Sequence, residues 1–236
     1  MNNFVNQAKP VIILLLVCAA LIASVVWLMN GGVTETVENK TESTENIPAP
    51  LPANELEAYN VDIKNRMNPI AEINTNKGTI EIELFEDVMP ITAGNFAKLA
   101  ESGFYDGVKF HRVIDGFMIQ GGDPITKTDQ VLKYGTGGPD YTIPDEHVRS
   151  ELLTNTRGTI AMANSGPNSG GSQFFINLID NQRLDFDKQP LTSQHPVFGR
   201  VVRGMDVVDA IAKVETNSTN LPLEDVVMES VKIRRN

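Results

Sequence analysis

From Ala71 to Phe85 apolar and polar side chains alternate. Ile73 and Thr75, then Ile80, Ile82 and Leu84, share one face, and Asn76-Lys-Gly breaks the two runs. A period of two interrupted by a short glycine-containing break predicts a β-hairpin with one buried face. The period then changes. After Pro90, in TAGNFAKLAESG, Phe96, Leu99 and Ala100 recur at helical spacing; Thr92 is the expected N-cap, and Gly103 stands where a helix C-terminus calls for a left-handed residue. Strands are expected at Val108–Val113, Phe117–Gly121, Thr159–Ala163, Ser172–Leu178 and Val197–Val202, and a second helix at Met205–Lys213. A last alternating strand, Val226–Arg234, is expected to return to the hairpin edge. Many short strands with few helices and Gly/Pro punctuation favour an all-β barrel or sandwich over a parallel sheet.

Upstream the pattern is different. Val11 to Met29, VIILLLVCAALIASVVWLM, holds no charge across nineteen residues, and a helix rising about 1.5 Å per residue would then cross the hydrocarbon of a bilayer. It reads as a membrane span rather than a cleaved signal, because the run outlasts a signal's apolar core and no small-x-small site follows it. Lys9 precedes the span while Glu35, Glu38, Glu42 and Glu45 follow it, so the N-terminus is expected in the cytoplasm and the bulk of the chain outside, periplasmic or extracellular. Asn30 to about Arg66 is rich in Thr, Glu, Asn and Pro and too poor in apolar residues to offset the entropy of ordering it. It is expected to be a disordered tether, with a short helix near Asn54–Lys64 left open. The expected organisation is residues 1–30 as cytoplasmic N-terminus and transmembrane anchor, 31–66 as flexible linker, and 67–236 as the folded domain.

Composition narrows the class. Apolar residues make up 41% and charged ones 21% of 236 residues, as in a globular chain. A formal net charge of -10, with no stripe of Lys and Arg, argues against a nucleic-acid partner, whose phosphates an anionic surface repels. The single cysteine, Cys18, lies inside the apolar run, so the domain can form no disulfide and offers no thiolate for catalysis or zinc.

The usual chemistries find no constellation. His111, His147 and His195 lack the spacing of a metal site, so no metal and no cofactor is expected. Gly135 to Asp140, GTGGPD, has neither the Lys-Ser/Thr nor the following helix of a phosphate loop. No serine sits in a G-x-S-x-G elbow, and Asp145-Glu-His147 reads as a solvated charge run. What remains is a scatter of polar residues amid apolar ones: Arg112 and Gln120 in FHRVIDGFMIQGGD, Asn164, Gln173 and His195. Each alone has a structural reading, as a surface ion pair, a loop ligand or a buried tautomer bonded to a carbonyl. Strand parity argues for more, because Met118 with Gln120 and Gln173 with Phe175 each set an apolar and a hydrogen-bonding group on one face.

The segments FHRVIDGFMIQGGDP, GTGGPDYTIPDE, MANSGPNSGGSQFFI and HPVFGRVVRGMDVVD, in that order, resemble a cyclophilin, a peptidyl-prolyl cis-trans isomerase, and the resemblance, to a bacterial membrane-anchored form, extends over Asn68 to Asn236. It implies a closed eight-stranded antiparallel barrel capped by two α-helices, with the active groove on its outer face. By position, the family's catalytic arginine falls on Arg112. The proline pocket falls on Phe117, Met118, Phe175, Leu184 and His195, and the peptide-binding residues on Gln120, Gly135, Ala163, Asn164 and Gln173. Two features depart from the better-known eukaryotic pattern: a longer segment from Pro124 to Tyr134, and Arg183 where a tryptophan often precedes Leu-Asp. The second bears on cyclosporin sensitivity.

The resemblance implies an enzyme that rotates X-Pro bonds and assists the folding of exported proteins as a monomer, its partners being proline-containing peptides and unfolded segments. A non-catalytic proline-peptide binder or holdase chaperone on the same barrel is the alternative. Isomerisation breaks no covalent bond; it must overcome C–N resonance, a barrier of roughly 18–20 kcal/mol. Neither nucleophile nor metal is needed for that.

Overall fold

The structure, a computed structural model, describes residues 68–189 and 194–235. β1 (Ile70–Thr75) and β2 (Gly78–Leu84) form the expected hairpin, paired from Ile70 with Glu83 to Thr75 with Gly78. Alternation decides its faces. Ala71, Ile73, Ile80, Ile82 and Leu84 are fully buried, each Ile or Leu contributing about 1.5–3 kcal/mol of transfer free energy. The other face carries ion pairs of Glu83 with Arg200 at 2.8 Å and Glu81 with Arg203 at 3.0 Å. With both arginines well exposed, those pairs contribute little.

Helix α1 (Pro90–Glu101) begins at its proline, with Met89 at the N-cap position. The expectation that Thr92 caps this helix is corrected. Pro90 has its φ preset and no N–H to lose, so the helix starts there and Thr92 lies inside it, fully buried. The cap comes from far along the chain: the Glu146 carboxylate accepts from Ile91 N at 3.1 Å and Thr92 N at 2.9 Å. The solvated charge run expected at 145–147 is therefore corrected as well. Asp145 exchanges hydrogen bonds with Asn168, and His147 stacks on Phe186 with centroids 4.8 Å apart. Gly103 does take the left-handed conformation after the helix, at φ 72°.

The other strands are β3 (Arg112–Ile114), β4 (Met118–Gly121), β5 (Thr159–Met162), β6 (Phe174–Asn177), β7 (Val197–Arg203) and β8 (Met228–Arg234). All eight join one antiparallel sheet of order β3-β4-β6-β5-β7-β2-β1-β8, curved into a half-barrel. As expected, the last strand returns to the hairpin, on β1. The run expected as one strand over Val108–Val113 serves two partners instead. Gly107 N bonds Met228 O at 2.7 Å and Phe110 N bonds Val226 O at 2.9 Å, whereas Arg112–Ile114 pairs with β4. One run can do both because it lies between the two ends of the strand order.

Helix α2 (Met205–Ala212) follows Gly204, whose φ is 85° and whose α-carbon lies so close to the Thr79 carbonyl oxygen that no side chain fits. Inside the sheet the rings pack on one another. Phe96 lies 4.9 Å from Tyr105, 5.4 Å from Phe174 and 5.5 Å from Phe198, and all four are fully buried. Aromatic side chains thus fill the interior, which leaves the outer face for a ligand. Among the described residues no helix is long and apolar enough to cross a membrane. The span expected at Val11–Met29, the tether of residues 31–66 and its optional helix lie outside the described residues.

Candidate active site

A three-residue turn, Asp115-Gly116-Phe117 with Gly116 at φ 69°, brings β3 back on β4 so that Arg112 faces Gln120 and Ile114 faces Met118. That register separates two sets of side chains. Val113 and Ile119 point inward and are buried, while Arg112 and Gln120 are half-exposed on the other face. β6 extends the row: Gln120 is opposite Phe175, and Phe175 is opposite Ala161 on β5. The polar residues that interrupt an apolar pattern therefore lie on the outside of the sheet beside an aromatic ring.

A chain of side-chain bonds runs across this face. Arg112 Nη1 donates to Gln120 Oε1 at 3.3 Å, Gln120 Nε2 donates to Gln173 Oε1 at 3.1 Å, and Gln173 Nε2 donates to the Gly137 carbonyl at 2.8 Å. Each amide accepts from one neighbour and donates to the next, so their orientations are coupled. The last bond depends on Gly137 lying against the Asp123 carboxylate, where a Cβ would overlap it. Nearby, Asn164 Nδ2 donates to the Gln194 carbonyl at 2.7 Å, and Ala163 N donates to Gln173 O at 2.9 Å.

Beside this chain is an apolar slot. Met118, Phe175 and Leu184 are buried and Phe117 is half-buried. His195 meets Phe175 edge-on, centroids 5.4 Å apart and planes at 84°. Its Nδ1 lies 3.0 Å from the Met162 carbonyl, which can only accept, so the proton is on Nδ1 and Nε2 is bare. Burial lowers the pKa of His195, against the opposing pull of the Met162 carbonyl and the Asp145 carboxylate, and favours the uncharged ring. Two guanidinium groups lie over the Phe117 ring, Arg112 at 6.0 Å and Arg183 at 5.1 Å from its centroid.

Arg112, Phe117, Met118, Gln120, Gly135, Ala163, Asn164, Phe175, Leu184 and His195 line one cleft of about 790 Å³. Gln173 lines an adjoining hollow of about 440 Å³ that shares Gln120, Gly135, Ala163 and Asn164 with the first. Of the site residues the resemblance implies, all but Gln173 thus line this cleft, and Gln173 lines the hollow beside it. Sequence reasoning missed others that line the cleft: His111, Val131, Leu132, Tyr134 and Leu221. His111 is 6% exposed, and burial lowers its pKa against the field of Asp123 and a backbone contact with Lys109. Strand parity would have put it opposite Arg112, inside; it reaches the cleft through the gap beside Gly135. Val131 and Leu132 had a legible signal, two adjacent apolar residues directly after the polar run Thr126–Gln130. Among the described residues no group of three His, Cys, Asp or Glu side chains could hold a metal. The chemistry on offer is a cation and a set of amides beside a slot for an apolar ring.

Residues 70–233 match the family described as cyclophilin type peptidyl-prolyl cis-trans isomerase/CLD. The chain belongs to this family. A peptidyl-prolyl cis-trans isomerase of Acinetobacter baylyi is 42% identical over 172 residues, 71% of this chain and 86% of the relative. Peptidyl-prolyl cis-trans isomerase B of Streptomyces anulatus is 44% identical over 181 residues, 69% of this chain and 95% of the relative. The chain spans only 42% of a longer Streptococcus pyogenes relative, 37% identical over 206 residues, whose name joins a phosphatase to the isomerase. A crystal structure of a Cryptosporidium parvum cyclophilin is 29% identical with a TM-score of 0.61, covering 72% of this chain and 99% of that one. The cyclophilin domain described here has the all-β fold of that structure, a half-barrel with two helices, and its reaction is the cis-trans isomerisation of X-Pro peptide bonds.

Proposed function

We propose that Arg112 is the catalytic group of this isomerase and that Phe117, Met118, Phe175, Leu184 and His195 hold the proline ring. The observation that carries this is the state of Arg112. Its guanidinium is half-exposed beside the slot, held by Gln120 and Phe117, and makes no ion pair among the described residues. When the amide twists, its nitrogen loses conjugation and gains a lone pair, so a guanidinium donates to it more strongly than to the planar ground state. An unpaired cation retains that capacity. Gln120 and Asn164 grip the peptide backbone on one side while the slot fixes the other, so that one half turns against a stationary half. A second Cryptosporidium parvum structure, 30% identical with a TM-score of 0.60, was solved in the presence of the dipeptide Ala-Pro. That supports proline peptides as the ligand here too.

The test is the isomerisation rate of a proline peptide with the Arg112→Ala protein. Loss of about a hundredfold or more in kcat/KM, with peptide binding retained, is expected for a group that acts on the transition state. A rate equal to wild type ends the assignment.

The same reading takes the eight strands as a closed barrel, supported by the bonds from Gly107 and Phe110 to Met228 and Val226. It also takes residues 11–29 as a membrane anchor, supported by nineteen residues without charge and the acidic residues after them, with the monomeric domain outside the cytoplasm assisting exported chains of a bacterium. Protease added to cells stripped of any outer membrane and wall, with the inner membrane intact, should then degrade the domain; protection there would place it inside.

A further inference from the structure

The insertion from Pro124 to Tyr134 folds as two 3₁₀ turns, Pro124–Lys127 and Val131–Lys133. We propose that Val131 and Leu132 from this insertion, with Leu221, form a second apolar seat in the cleft. It takes a bulky apolar side chain of the client a few residues from the proline, and it rests on the isomerase reading above.

Leu132 has a relative exposure of 102% and Val131 of 49%. A single exposed leucine needs no explanation. These two are adjacent, stand among Lys127, Thr128, Asp129, Gln130 and Lys133, and line the same cleft as Arg112 and Phe117. They contribute nothing to the core, yet the segment that presents them is firmly built. The buried carboxylate of Asp123 accepts from Ile125 N at 2.8 Å and from Gly135 N, fastening both ends of the insertion. Thr126 Oγ1 accepts from Lys109 N at 3.0 Å, and the Tyr134 hydroxyl donates to Thr128 O at 2.7 Å. An apolar surface held in place loses little ordering entropy when it is covered.

Its place relative to the proline slot follows from the sheet order. β3 is at the end of the order, then β4, then β6 with Phe175. The insertion reaches the cleft beside His111, where Gly135 packs, and the Leu221 segment reaches it beside Val113, whose N–H donates to Asn220 O at 2.9 Å. The seat therefore flanks Arg112 at the β3 end, and the Phe175–His195 slot lies toward β6. A peptide whose proline sits in that slot passes Arg112 and reaches the seat with a neighbouring residue. The lining side chains Val131, Leu132 and Leu221 carry no charge, so the seat selects Leu, Ile, Val or Phe.

The experiment uses the full-length chain in detergent and a peptide series in which one leucine is walked along the positions flanking the proline of an all-serine parent. Affinity by fluorescence anisotropy and isomerisation by exchange NMR are both measured, for the wild type and for V131S/L132S. One leucine position is expected to tighten binding about tenfold, and the double variant to abolish that preference. Equal affinity for every peptide, or a preference that survives in the variant, overturns the proposal, and turnover of all the peptides would then leave the isomerase reading standing. Conversely, a leucine preference without acceleration of isomerisation keeps the seat and ends the isomerase reading. A concentration-dependent dimer in sedimentation that V131S/L132S dissociates assigns the patch to a second copy and overturns the proposal. So does a gain in affinity for every peptide alike when Pro48, Pro50 and Pro52 are replaced by alanine, since the chain's own IPAPLP stretch would then be the occupant.

Discussion

Arg112 and Gln120 are direct partners across the β3–β4 ladder, and the guanidinium donates to the amide oxygen at 3.3 Å. The other end of the same amide donates to Gln173. Gln120 therefore orients the cation and is itself oriented from the neighbouring strand, so the two polar residues that interrupt the apolar pattern act as one device.

Replacing Gln120 with alanine removes the acceptor for Arg112 and the donor for Gln173. Isomerisation is expected to fall about tenfold, mainly in kcat, because a mispositioned group costs rate. The urea midpoint of this half-exposed position should hardly move. An unchanged kcat would show that Arg112 needs no support from Gln120.

Phe117→Ala removes one wall of the slot and the ring under both guanidinium groups. The lost apolar contact should raise KM for a proline peptide about tenfold, whereas Phe117→Leu should recover most of it. A KM equal to wild type in the alanine variant would remove Phe117 from the slot.

Glu146→Ala takes away the only side-chain cap seen at the start of α1 among the described residues. A loss of about 1 kcal/mol in stability is expected, read as a lower denaturant midpoint with kcat/KM unchanged. A midpoint within error of wild type would mean that water serves as well as the carboxylate.

Burial lowers the pKa of both His111 and His195 from the ordinary value of 6.5. Below about 6.5 the unfolded chain takes up protons that the folded one refuses, so stability falls as the pH drops from there toward the lowered folded values and levels off beneath them. The groups that oppose this are Asp123 and the Lys109 backbone for His111, and the Met162 carbonyl with Asp145 for His195. Urea midpoints should be flat above pH 7 and decline between pH 6.5 and 5, and His111→Gln should shallow the decline. A midpoint that rises on acidification in this window would contradict neutral buried rings.

Much of the fold is legible in one dimension. The hairpin, both helices and the pairing of the last strand with the hairpin follow from residue period, since one buried face forces alternation in strands and a 3.6-residue recurrence in helices. The Thr92 cap fails because the group that satisfies Ile91 N and Thr92 N lies 54 residues away in sequence, in a stretch whose composition suggests only solvation. The run Val108–Val113 fails as one strand because it lies where two ends of a sheet meet, which no local pattern records.

What the sequence by itself determined is which side chains stand together on one strand face, Met118 with Gln120 and Gln173 with Phe175, because a residue's facing is a property of its own backbone. Through its motifs it also determined the family. Only the tertiary structure decided that Arg112 is held by Gln120 instead of a carboxylate, that Arg183 shares the Phe117 ring, and that Leu132 stands uncovered at the cleft. Each of these depends on a neighbour brought in from another part of the chain, and hydrogen bonds, ring contacts and burial are set by distance in space, which sequence order does not fix.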